Sequence, residues 1–156
     1  MTFTRVSPLT VRVTSPGGRS PVGVPQLESL ARATLAAERV VKATVSITLV
    51  SARAMSALNQ KHLQHTGPTD VITFALGTDS FGALLGDIYI CVDVARAHAR
   101  HHKVPLREEV QRLVVHGVLH ACGYEHPVDA TRTKSRMWKR QELLLRRFLR
   151  AVAEGA

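Results

Sequence analysis

Residues 116–126 read HGVLHACGYEH, and no other stretch of the 156-residue chain restricts its fold as tightly. His116 and His120 are four apart, so a helix of 3.6 residues per turn places both on one face. Gly123 tolerates the left-handed backbone that ends a helix. A chain that stops there can swing His126 back toward the other two. Three imidazoles then converge, with no fourth ligand nearby in sequence. That donor set suits a catalytic Zn²⁺ site, which keeps one position open, whereas structural sites are usually closed by four protein ligands. It also suits Ni, Cu or Fe. A histidine-rich helix end without metal is the plainer alternative, and the third histidine just past a glycine stop argues against it. Cys122 lies between two proposed ligands in sequence, but two residues past His120 is about 200° around the helix, facing away.

A His₃ centre makes activated water available at neutral pH and suits hydrolysis of a carbonyl or a phosphodiester. The spacing H-x-x-x-H-x-x-G-x-x-H also occurs in metzincin peptidases, which place a glutamate directly after the first histidine as general base. Here that position is Gly117, which cannot take a proton. A base must come from elsewhere: Glu125, Glu109, Asp70 and Asp87 are the candidates. Glu125 is equally suited to holding an imidazole tautomer from outside the ligand shell, or to standing solvated in a turn.

The length predicts one domain, spanning 1–156, with its own core. A formal charge of +9 points to an anionic partner, nucleic acid first. Aromatic residues make up only 4%, so phosphate contacts rather than rows of stacked bases must dominate. Cys91 and Cys122 form no CxxC pair and read as small apolar fillers in a reducing compartment. The N-terminal residues carry no secretory pattern and no apolar run approaches 18 residues, so a cytoplasmic location is expected.

Alternation predicts strands over 9–14, 43–50, 70–76 and 83–93, the last two joined by a hairpin loop at 77–82. Pro25 opens a helix running to about Val40, with Leu27, Leu30, Ala31 and Leu35 inward. Ser51 caps a helix from Ala52 to about Leu63, with Met55, Leu58 and Leu63 inward. Helices follow over 93–102 and from Pro105 through the histidine pair. One long helix is expected from about Val128 to Ala153, burying Met137, Leu144, Leu145, Phe148 and Val152, with arginines over much of the rest. This order gives an α+β or α/β domain with a small mixed sheet.

With HGVLHACGYEH, GPTDVITF and LLGDIYI in place, the chain resembles the YbeY family of bacterial rRNA maturation factors, metal-dependent single-strand endoribonucleases. The resemblance runs over roughly residues 43–145. The family pattern H-G-x-L-H-x-x-G-Y-D-H is matched at His116, Gly117, Leu119, His120, Gly123, Tyr124 and His126, with Glu125 in place of the usual Asp. T-D-V-[LI]-[ST]-F is matched by Thr69 through Phe74, and L-G-D-I by Leu85 through Ile88. Leu58 and Asn59 match the family's L-N. Five residues after that Leu many members carry a substrate-contacting Arg; this chain has Leu63.

The resemblance implies an α+β fold: a mixed four-stranded sheet against about five helices, with the metal at one end of a cleft. It implies one Zn²⁺ on His116, His120 and His126, which are then the catalytic residues, and action on single-stranded precursor 16S rRNA of the small ribosomal subunit. The resemblance further implies a role there in 3′-end maturation and ribosome quality control. Lys61 and His65 are candidates to replace the missing arginine's charge, although lysine lacks the guanidinium fork. Arg136, Lys139 and Arg140 on the C-terminal helix are candidate phosphate contacts. Two other readings remain open: an RNA-binding assembly factor with a structural metal, and a metallopeptidase-like hydrolase, against which Gly117 argues.

Overall fold

The computed structural model describes residues 8–18, 20–64 and 66–155. Four strands form one sheet: β1 (Leu9–Thr14), β2 (Ala43–Val50), β3 (Val71–Thr78) and β4 (Leu84–Cys91). Their order across the sheet is β1-β2-β4-β3, with β1, β2 and β4 parallel and β3 antiparallel to β4. The sheet is therefore mixed and four-stranded, as expected. Five α-helices join it: α1 (Val24–Ala37), α2 (Ala52–Leu58), α3 (Val92–His102), α4 (Leu106–Ala121) and α5 (Arg136–Gly155).

Alternation along β2 builds the core. Val45, Ile47 and Leu49 are buried on one face, and Ile88 and Ile90 of β4 extend that surface. Against it lies α1, through Leu27, Leu30, Ala31 and Leu35, together with the buried stripe of α4. At about 25 cal/mol per Å² of apolar surface, each fully buried leucine or isoleucine contributes roughly 1.5–3 kcal/mol. A second, smaller cluster on Met55, Ile72 and Cys91 packs α2 to the sheet.

α4 runs through the middle of the molecule and touches α1, α3, α5, β3 and β4. Two glycines permit this. A Cβ on Gly117 would sit 2.7 Å from Ile88 Cγ2, and one on Gly86 would sit 3.2 Å from Ala121 Cβ. Helix and hairpin touch backbone to side chain, so the residue after His116 must be small.

Several boundaries differ from the expectation. α1 ends at Ala37 rather than near Val40, because Arg39 takes a left-handed φ of 62°. α2 stops at Leu58 and widens into a π-helical turn over Asn59–Leu63. In that wider turn Asn59 is buried, its amide donating to the Gly67 carbonyl at 2.9 Å, and Leu63 is turned out to 45% exposure. The C-terminal helix does not begin at Val128. A 3₁₀ turn over Ala130–Lys134, capped by Asp129, precedes it, and α5 starts at Arg136 with Ser135 Oγ accepting from the Trp138 amide at 3.1 Å. Two capping residues on either side of the 3₁₀ turn, Asp129 before it and Ser135 after it, break the segment there. Val152, expected inward, is exposed because the helix end extends past the core. No helix among the described residues is long and apolar enough to cross a membrane.

Candidate metal centre

The end of α4 sets the histidines. Gly123 has φ 102°, its amide donates to the His120 carbonyl at 2.9 Å, and the Tyr124 amide donates to the Leu119 carbonyl at 3.0 Å. This paired arrangement closes a helix and reverses the chain. His126 consequently faces His116 and His120, with ring centroids 5.1 and 5.0 Å away; the first two rings are 4.6 Å apart. One ring nitrogen from each lies within 4.8 Å of the others.

The outer hydrogen bonds decide which nitrogens converge. Nδ1 of His116 meets Gln141 Oε1 at 2.7 Å, Nδ1 of His120 meets the Tyr124 carbonyl at 2.9 Å, and Nδ1 of His126 meets the Pro127 carbonyl at 2.8 Å. All three partners are oxygens without a proton, so each Nδ1 is the protonated donor. Each Nε2 then keeps its lone pair, and outer contacts of this kind orient metal-binding imidazoles. Burial, the largest influence, pushes the His116 pKa down to about 4 and lowers that of His120 as well. Two neutral rings at pH 7 need release no proton on ligation. The donor set therefore fits a divalent metal ion such as Zn²⁺.

The sequence did not single out Gln141, yet its position carries a signal. It falls in the buried stripe of α5 between Met137 and Leu144, with 1% exposure. A polar side chain at a core position needs a partner, and His116 is that partner. Glu38 also went unnoticed. Released from α1 by its early end, it accepts from Tyr124 Oη at 2.9 Å and from Arg140 Nε at 2.6 Å. The loop that orients His120 is thus tied to α1 and α5.

Of the candidate bases, Asp70 lines the histidine cleft, a space of about 360 Å³ walled by β3, the three histidines, Leu63 and Arg132. Glu109 is buried and paired with Arg112 at 2.9 Å. Asp87 accepts from Ser46 Oγ at 2.6 Å on β4. Glu125 is exposed. Gly117, packed on Ile88, leaves no room for the glutamate of a peptidase. Cys122 is not among the converging ligands, and burial raises its thiol to about 11.

The candidate RNA contacts lie elsewhere. Lys61 is exposed on the π turn and does not line the cleft. His65 lies outside the described residues. Arg136, Lys139 and Arg140 line a separate groove beside Glu38 and Tyr124. There Arg140 is engaged with Glu38, and the Arg136 guanidinium lies 5.5 Å from the Tyr124 ring centre. The cation in the cleft is Arg132, from the 3₁₀ turn.

The family profile described as endoribonuclease YbeY matches residues 21–149. The chain belongs to the YbeY family. It is 35% identical to the endoribonuclease YbeY of Frankia alni over 92% of this chain and 85% of that protein. To the endoribonuclease YbeY of Bacillus licheniformis it is 34% identical over 90% of this chain and 95% of that one. The solution structure of TM1509 from Thermotoga maritima shares the fold at a TM-score of 0.61 and 26% identity, covering 94% of this chain and 93% of that one. Within the YbeY family match lie all three histidines, Gln141, Glu38 and Arg132.

Proposed function

We propose that this chain is a metal-dependent endoribonuclease that holds Zn²⁺ on His116, His120 and His126. It acts on single-stranded RNA, specifically the 3′ end of precursor 16S rRNA in small-subunit maturation. The observation that carries the metal reading is the set of three Nδ1 donors, each committed to an outer oxygen, which leaves three Nε2 atoms to converge. The family carries the RNA reading, and the net charge of +9 agrees with it.

When bound, the metal supplies Lewis-acid stabilisation of a phosphoryl oxygen and activation of a water at neutral pH. The protein's part is positional. Gln141, Tyr124 and Pro127 hold the rings in one tautomer, so no reorganisation is needed when substrate enters. Asp70, on the cleft wall, is the carboxylate placed to accept the proton of the attacking hydroxyl or water. Leu63, where many family members have Arg, contributes apolar surface only.

The test pairs metal content with cleavage of a single-stranded rRNA fragment, for the wild type and His120→Ala. About one equivalent of metal and endonucleolytic cuts, both lost in the variant, is the expected result. A wild type that binds metal and RNA but never cuts would sink the nuclease reading. The product ends name the attacking group: a 2′,3′-cyclic phosphate marks attack by the ribose hydroxyl, a 5′-phosphate attack by water.

A further inference from the structure

A cavity of about 430 Å³ opens beside the histidine cleft, between α3, α4, α5 and the 3₁₀ turn. Its size falls in the range of small-ligand sites, roughly 300–1,000 Å³. The two spaces share three walls: Asp70, His116 and Arg132 line both. A ligand in the cavity is therefore next to whatever occupies the histidines.

The charges in the two spaces are arranged unequally. Inside the cavity, Arg112 is consumed by Glu109 at 2.9 Å, Glu142 at 2.8 Å and Glu108 at 3.6 Å. His98 and His102 line it too, the first 3.7 Å from Asp70, and with Asp70, Glu109 and Glu142 around the Arg112 guanidinium the interior is rich in carboxylates and disfavours phosphate. At the mouth, Arg132 forms no ion pair among the described residues. Its guanidinium lies 6.0 Å from the ring centre of Trp138, within cation–π reach. Trp138 itself lines the cavity and is half-buried, and Val104 and Leu113 add apolar wall. A flat, uncharged group inside and an anion at the mouth are what this surface can hold.

We propose that the cavity is a nucleobase subsite. It takes the base neighbouring the phosphodiester at the histidines, against Trp138, while Arg132 contacts the intervening phosphate. This rests on the nuclease reading for the placement of the strand. Arg132 thereby supplies the guanidinium that Leu63 does not, from a segment far along the chain. The subsite makes binding depend on a base as well as on backbone charge.

Trp138 is the only tryptophan in the chain, so its emission reports this cavity alone. The probe is a short single-stranded oligoribonucleotide, 2′-O-methylated throughout, and the same backbone carrying abasic sites. Total binding is followed separately by anisotropy of a labelled copy, and cleavage of ordinary RNA is measured in parallel. The intact oligonucleotide should change Trp138 emission saturably, and the abasic one should not. Arg132→Gln should weaken binding about tenfold or more, the range for losing a charge-assisted hydrogen bond to phosphate. His120→Ala, which disturbs the metal site, should leave the emission change in place. Binding by anisotropy with silent Trp138 emission, or unchanged affinity in Arg132→Gln, overturns the subsite. If wild-type cleavage persists in that case, the nuclease reading stands and only the subsite falls. No binding and no cleavage removes both.

Discussion

His116 shows how one residue couples site and stability. Its pKa drops from the ordinary 6.5 to about 4 in the folded protein, chiefly by burial. Between these values the unfolded chain takes up a proton that the folded one refuses. Stability of the metal-free protein is therefore intact above about pH 6.5, falls as pH drops toward 4, and gains no further slope from this group below that. The loss amounts to about 3 kcal/mol. Urea midpoints of chelated protein from pH 7 to 4 test this. The wild type should weaken more steeply than His116→Asn, and equal slopes would remove the effect. His116 and its spacing were legible in the sequence, whereas its protonation was not. The pKa depends on burial by α5 and on Gln141, 25 residues away.

Among the elements, α4 carries the site because it can lie close to the β3–β4 hairpin. Gly117→Ala tests that closeness. In an open helix alanine is better than glycine by about 1 kcal/mol. Here the new Cβ would meet the β-branched Ile88, itself 0% exposed, at 2.7 Å. Overpacking of this kind costs about 1–3 kcal/mol, so a net loss is expected, read as a lower denaturant midpoint. A higher midpoint would show that helix and hairpin separate freely. The sequence showed Gly117 only as a missing glutamate. Its packing role needs β4, which lies about 30 residues earlier, so local pattern cannot reveal it. Element boundaries were similarly half legible. The strands and α4 follow clear periodicity. The π turn that turns Leu63 outward follows from the burial of Asn59 against Gly67, a tertiary demand rather than a local propensity.

For the whole molecule, the centre joins distant parts of the chain. His116 is held from α5, and the loop orienting His120 is tied through Glu38 to α1 and through Arg140 back to α5. A metal that binds only this assembled arrangement stabilises the entire fold. At a hundredfold excess over its dissociation constant the gain is about 2.7 kcal/mol. For a chain of this size that raises the melting temperature by about 5–10 °C. Zn²⁺ should produce such a rise in the wild type and not in His120→Ala. An equal rise in both would place the metal elsewhere. The network also shows what net charge leaves out: Arg140, a candidate phosphate contact by sequence, is paired with Glu38, while Arg132, one more arginine of a basic segment by sequence, lines the histidine cleft.

The sequence alone determined the mixed α+β order of elements, the helix stop at Gly123 and the histidine triplet around it. Each of these is a matter of spacing along the chain, where periodicity and backbone preference act within a few residues. Only the tertiary structure decided which carboxylate and which cation face the histidines, and that a side chain of α5 holds the Nδ1 proton of His116. Those groups come from the residue just before β3, the 3₁₀ turn and α5, and packing around α4 brings them to one place.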